Sequence, residues 1–180
     1  MGLDEAARHL NALSPEARLA ALLSCCHCER WAHDLAGEAP YADGAALAER
    51  SEALWSQANE AERLEAFAGH PQIGGDLEAL RGKFAASTHV AAGHQSATWS
   101  GSEQAQVARA SEATLERLAA KNREYLATFG FIFIVCATGK SAEEMLALLE
   151  ARLRHDRQTE LTIAAGEQAK ITRIRLEKLP

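Results

Sequence analysis

Chemistry in this chain is most easily placed at His70, within Gly69-His70-Pro71-Gln72-Ile73-Gly74-Gly75-Asp76. Helical pattern flanks this stretch on both sides. Pro71 lacks a backbone N–H and disfavours the α conformation at His70, so the preceding helix should end here. Gly74 and Gly75 admit backbone angles that other residues resist. The expectation is a tight, exposed loop that pins one imidazole. Histidine is the side chain whose ordinary pKa lies nearest neutrality, so a pinned one can serve as acid or base. The residues alone leave a second reading open, a histidine that closes a helix end near its carbonyls.

Other reactive residue types are less persuasive. Cys25, Cys26 and Cys28 crowd around His27, and Cys136 stands alone. Zinc ligands are usually spaced by two to four residues within each pair. A contiguous run on an expected helix does not fit, and reduced, buried thiols are the expectation. His89 and His94 lie five apart and read as surface or packing residues. Gly139-Lys140-Ser141 resembles the end of a phosphate loop, but the motif requires glycine at position 134, where Ile134 stands. Ser141 as a helix N-cap with Glu144 three residues on explains it better. Arg175 continues the line Leu161, Gln168, Arg175, as a snorkelling surface residue or an anion binder.

The elements that would position these residues read as helices. Alanine is abundant, Leu, Glu and Arg are common, and the few Pro and Gly residues fall where helices should stop. A short helix is expected over 4–13. A second begins at Ser14-Pro15-Glu16 and carries Leu19, Leu22, Leu23, Cys26, Arg30 and Trp31 up to the break at 37–40. A third covers about 45–58, a short one leads through Leu64 and Phe67 into His70, and another spans about 77–84. Residues 85–99 have no clear pattern. A long helix runs over about 101–128, with the stripe Val107, Ser111, Leu115, Leu118, Asn122, Tyr125. Ser100 and Glu103 match a capping box at its start, and Gly130 follows its end. Helices over 142–154 and 157–179 complete the chain.

Phe131 to Cys136 is continuously apolar and reads locally as a buried strand. No second strand is available to pair with it. Its backbone groups must then be satisfied by a ligand, or by side chains and water. The expected fold is all-α, one helical bundle domain over 1–180 with a buried extended segment near 131–137.

The chain has 180 residues and a formal charge of −6, with acidic and basic residues interspersed. It is long enough to bury a real core. The charge pattern argues against a nucleic-acid footprint, which needs a basic patch. No apolar run approaches the roughly 20 residues of a membrane span. The first residues lack the features of a secretory signal, and the last three are not a peroxisomal address. The expectation is a cytoplasmic protein.

Five motifs taken in order resemble the OHCU decarboxylases. They are His70-Pro71-x-Ile73-Gly74, Ser100-x-x-Glu103-Gln104, Asn122-x-x-Tyr125, the run Phe129 to Ala137, and Lys170-Ile171-Thr172-x-x-Arg175-Leu176. Trp31 and the paired Cys25-Cys26 are similar to the family's N-terminal pattern. The family decarboxylates 2-oxo-4-hydroxy-4-carboxy-5-ureidoimidazoline (OHCU) to (S)-allantoin in urate breakdown. The resemblance implies an all-helical fold, a homodimer and no cofactor. It implies His70 as the catalytic acid with Pro71 beside it at the substrate, and a catalytic contact at Glu103. Ser100 and Gln104 complete that substrate-contacting triplet. The backbone of Phe133, Ile134, Val135, Cys136 and Ala137 would contact the ring system, and Arg175 matches the family's C-terminal arginine.

The implied reaction suits a protein without a cofactor. A ring C=N beside the carboxylated carbon can take up the electrons that CO2 leaves behind, a task for which other decarboxylases borrow a cofactor. The protein must position the substrate, support developing charge and deliver one proton to one face. The rival reading is a non-catalytic helical ligand-binding or interaction module on the same fold. A metal-dependent hydrolase lacks support, since no His-x-x-x-His or comparable ligand spacing occurs.

Overall fold

In the computed structural model the described residues are 2–70, 77–78, 80–82 and 101–180, with side chains described from 112 onward in the last stretch. Among them every regular element is a helix and none is a strand. The helices are α1 (Leu3–Ala12), α2 (Pro15–Cys25), α3 (Glu29–Gly37), α4 (Gly44–Ser56), α5 (Glu60–Ala68), α6 (Gly101–Phe129), α7 (Ala142–Arg152) and α8 (Arg157–Leu176). Residues 77–78 and 80–82 are also helical. The all-α expectation holds.

Local chemistry accounts for the boundaries. Ser14 caps α2, accepting from the Ala17 N–H, with Pro15 in the first turn. Ser141 and Glu144 form the expected capping box of α7. Asn59 and Glu62 form another on α5, which the sequence reading passed over. Gly130 follows α6 with φ 78°, a conformation glycine adopts without steric cost.

One boundary differs. The helix expected to run unbroken from Pro15 past Trp31 is two helices, because Cys26 and Cys28 are extended (φ −141° and −121°). Cys26 and Cys28 therefore do not continue a helical cysteine face. All three cysteines of this cluster are buried, and burial raises the Cys25 and Cys26 thiols to about 11 and about 12. Among the described residues no group of three or more His, Cys, Asp or Glu side chains is placed to hold a metal ion. Among them, too, no helix is long and apolar enough to cross a membrane.

The chain divides into two compact units. The first comprises residues 1–71, 134–136 and 161–180. Its core takes Ala6 and Leu10 from α1, Leu22 from α2, Trp31 and Leu35 from α3, Leu47 and Leu54 from α4, and Leu161 and Ala164 from α8. Within a helix they recur at three, four or seven residues, the spacing of one helix face. Polar atoms in this core are satisfied. The Trp31 indole donates to the Ser51 carbonyl at 3.0 Å and the Trp55 indole to the Ala165 carbonyl at 2.9 Å. Arg18 donates to the carbonyls of Leu10, Leu13 and Ala36, which lie at or near the ends of α1 and α3.

The second unit comprises residues 72–133 and 137–160. α6 packs on α7. The predicted stripe continues through Leu115, Leu118, Asn122 and Tyr125, all buried, while Val107 and Ser111 carry side chains outside the described set. Tyr125 stands among Phe129, Phe131 and Phe133, with ring centroids 4.6, 5.8 and 5.3 Å away. Its hydroxyl donates to Glu160, which is fully buried. Arg152 Nε and His155 Nδ1 hold the same carboxylate at 2.9 and 2.7 Å. The Arg152 guanidinium also lies 4.7 Å from the Phe133 ring centroid.

Candidate functional site

His70 follows α5 directly. Its backbone N–H donates to the Phe67 carbonyl at 3.1 Å, so the helix's last turn fixes where the ring begins. Gly69 is required by space. A Cβ there would lie 2.2 Å from Cγ of His27 and 2.4 Å from its Cβ. The exposed loop expected from sequence is instead a half-buried position.

Both ring nitrogens of His70 are engaged. Nε2 lies 2.6 Å from the side-chain oxygen of Gln168. Nδ1 lies 3.4 Å from Nη2 of Arg175. A guanidinium only donates, so Nδ1 accepts and Nε2 carries the proton that the Gln168 oxygen receives. The Gln168 amide nitrogen donates to Thr172 Oγ1 at 3.1 Å and points to the Cys26 sulfur at 3.8 Å. Arg175 Nη1 donates to the Cys25 carbonyl at 3.1 Å. Burial, followed in part by the charge of Arg175, pulls the His70 pKa below its usual value, against the opposing effect of the Gln168 bond. The ring is neutral at neutral pH.

The sequence line Leu161, Gln168, Arg175 explains this geometry. Residues seven apart on α8 lie on nearly the same face. Leu161 and Gln168 are buried, and Arg175 is half-buried, reaching His70 and Cys25. Gln168 lies on that line one heptad before Arg175, and this register is the signal the sequence carries for it.

In the same unit, Ile134 and Val135 are buried and Cys136 is half-buried. The Cys136 backbone N–H donates to Glu167 Oε2 at 2.7 Å, and Lys170 Nζ lies 2.5 Å from the other carboxylate oxygen. One backbone donor of the apolar segment is thus satisfied by a side chain, one of the two outlets foreseen. Phe133 and Ala137 belong to the second unit. Pro71 and Ser100 lie outside the described residues, as do His89 and His94, and so do the side chains of Glu103 and Gln104. The structure therefore brings His70 and Arg175 together, adds Gln168, and places Ile134, Val135 and Cys136 in their unit.

An open groove of the first unit, about 510 Å³, is lined by Leu3, Asp4, Gly44, Ala48, Glu52 and Arg173 among others. Its charged lining includes Glu52 and Arg173, which form an ion pair at 3.1 Å, and it includes no imidazole.

The sequence matches the OHCU decarboxylase family over residues 11–177. It is 35% identical over 156 residues to the uric acid degradation bifunctional protein TTL of Arabidopsis thaliana, covering 86% of this chain and 45% of that protein. The chain thus spans about half the length of this relative. The fold is similar to a crystal structure of OHCU decarboxylase in the presence of (S)-allantoin, with TM-score 0.63 and 33% identity, covering 86% of this chain and 92% of that one. A structure of (S)-allantoin synthase shares the fold with TM-score 0.66 at 21% identity, over 94% of this chain and 52% of its own.

Proposed function

Because this chain belongs to the OHCU decarboxylase family, we propose that it decarboxylates OHCU to (S)-allantoin, as a carboxy-lyase of urate degradation that uses no cofactor. The observation that carries the reading is His70 held between the Gln168 oxygen and the Arg175 guanidinium. Together they offer a proton-transfer group and an anion-binding group side by side.

The substrate's chemistry matches what these groups provide. C4 of OHCU carries both hydroxyl and carboxylate, and C5 is double-bonded to a ring nitrogen. The C4–carboxylate bond breaks and CO2 leaves. Its electron pair becomes a C4=C5 double bond, and the C5=N pair moves to the nitrogen, which takes a proton from solvent. The resulting enol becomes the ketone by losing its O–H proton, while C5 gains one. The reaction consumes one proton overall.

A neutral imidazole suits the last two transfers. His70 accepts the hydroxyl proton and, as imidazolium, returns a proton to C5 on the face it occupies. It therefore acts as the acid expected from sequence only after first acting as a base. Arg175 receives the departing carboxylate. Burial is the chief cause of the lowered His70 pKa; the carboxylate offsets the smaller part that the guanidinium charge contributes, so the ring's proton affinity rises while substrate is bound.

Family membership makes Pro71, Ser100, Glu103 and Gln104, and backbone groups of 133–137, the further substrate contacts of this proposal. Glu103 lies in the first turn of α6, where the helix dipole favours a carboxylate. It is cast as acceptor and orienter of substrate N–H groups. A homodimer in the cytoplasm, free of nucleic acid and membrane, is the proposed working form; solution mass checks its oligomeric part.

The test is direct. Chelator-treated protein is mixed with freshly generated OHCU, and CO2 release and the circular dichroism of allantoin are followed together. Equal amounts of CO2 and (S)-allantoin, formed faster than in buffer, are expected. Binding of OHCU with no gain in rate would instead support the non-catalytic module.

A further inference from the structure

We propose that Gln168 is a positioning residue that sets the tautomer of His70, so that Nδ1 is the nitrogen that exchanges protons with substrate. The inference rests on the decarboxylase reading for its kinetic consequences and on geometry alone for the tautomer.

The two bonds to the imidazole are unequal. The Gln168 oxygen sits 2.6 Å from Nε2, whereas Arg175 Nη2 is 3.4 Å from Nδ1. The second is the longer and weaker of the two and is the one that yields when an anion draws the guanidinium away. Gln168 cannot yield in the same way. It is fully buried, and its amide nitrogen is spent on Thr172 Oγ1 and the Cys26 sulfur. Rotating the amide by half a turn would aim its NH2 at Nε2, place the ring proton on Nδ1 and leave that N–H facing the Arg175 guanidinium, two donors against each other. The oxygen is thus kept toward His70, and the Nε2–H form is kept with it. An acceptor fixed behind an imidazole orients the ring and stabilises the cation that forms when the opposite nitrogen takes a proton.

Among the described residues, two charged or titratable groups face the ring. Arg175 approaches from α8 and His27 from the α2–α3 connection, and both disfavour the imidazolium. Gln168 alone among the partners named favours it. Replacing its neutral oxygen by a carboxylate should therefore reset the ring's basicity without changing its position.

Two readouts separate this role from simple packing. The first is the tautomer of His70 in the free protein, read from ring 15N shifts by NMR. The parent should show a pyrrole-type Nε2 and a pyridine-type Nδ1, and Gln168→Leu should show a mixture. The second is the pH profile. Gln168→Glu should move the acidic limb of kcat/KM to higher pH and regain parent-like turnover above it. Gln168→Leu should lower kcat on the order of a hundredfold with KM changed by less than about threefold. A pyridine-type Nε2 in the parent overturns the proposal, as does a Gln168→Leu protein with unchanged tautomer and kinetics. If the parent shows the expected tautomer but does not turn over OHCU, the positioning role stands and the assigned reaction fails.

Discussion

Arg175 and Gln168 take opposite nitrogens of one imidazole, Nδ1 at 3.4 Å and Nε2 at 2.6 Å, from positions seven residues apart on α8. The guanidinium is the member of this pair with charge to offer a carboxylate. Arg175→Gln should raise KM by tenfold or more, about the loss of a charge-assisted hydrogen bond of 1.5–3 kcal/mol. It should also relieve part of the depression of the His70 pKa, since Arg175 contributes to it. Steady-state kinetics over pH read both effects; an unchanged KM would remove Arg175 from substrate binding.

The pH dependence has a definite sign. The His70 pKa is lowered from 6.5 in the fold, chiefly by burial. The unfolded chain therefore binds the extra proton more readily. The stability associated with neutral His70 is fully present above about 6.5 and is lost as pH falls from there toward the depressed folded value. The acidic limb of kcat/KM for the free enzyme should likewise lie below 6.5. Denaturant titrations and kcat/KM across pH 4–8 check this, comparing parent with His70→Asn; a limb above 7 would contradict it.

Gly69→Ala tests how His70 is placed. The Gly69 backbone (φ −73°) would accept alanine without strain, so the cost arises only where the new Cβ meets His27. Overpacking of this kind costs about 1–3 kcal/mol. The variant should melt earlier and lose turnover, and His27→Gly in the same protein, which removes the opposing Cβ as well as the ring, should restore much of both. Failure of that rescue would show that the contact with His27 is not what requires glycine.

The second unit has its own test. Glu160 is fully buried and accepts from Tyr125, Arg152 and His155. Glu160→Ala leaves the Arg152 charge buried without this partner and should cost about 3–5 kcal/mol. Tyr125→Phe removes the hydroxyl's bond to Glu160 and the one it accepts from Arg152 Nη2, but strands no charge, since Glu160 remains, and should cost less, about 1.5–3 kcal/mol. Urea unfolding measures both, and equal small losses would show that the network is not a stability determinant.

Much of this fold was legible because it is written in periodicity and caps. The α6 stripe from Leu115 to Tyr125, the Ser14-Pro15 start and the Ser141–Glu144 box are local signals, and each helix obeyed them. The break at Cys26–Cys28 was not legible, because no proline or glycine marks it; the extended residues bury both thiols instead. His70 and Arg175 stood out by type and motif. Gln168 did not, since a buried glutamine gains its role only through partners distant in sequence, His70 and Cys26. The Glu160 network was hidden for the same reason, being assembled from α6, α7 and α8.

Glu103 lies in the first turn of α6, three residues beyond Ser100. Glutamine also completes a capping box, so Glu103→Gln should preserve stability. If the carboxylate accepts from substrate, turnover should fall about a hundredfold, comparable to removing one preorganised polar contact. Near-normal turnover in Glu103→Gln, with a lowered melting temperature in Glu103→Ala, would make the residue a helix cap only.

The central claim is that His70 transfers the proton that makes (S)-allantoin. Chiral analysis of allantoin formed by parent and His70→Ala proteins, each with freshly generated OHCU, tests it most directly. The parent should yield the S enantiomer at a rate well above buffer. His70→Ala, folded by circular dichroism, should fall by about a hundredfold or more and lose most of the enantiomeric excess above background. A His70→Ala protein that still produces (S)-allantoin at the parent rate would contradict the account.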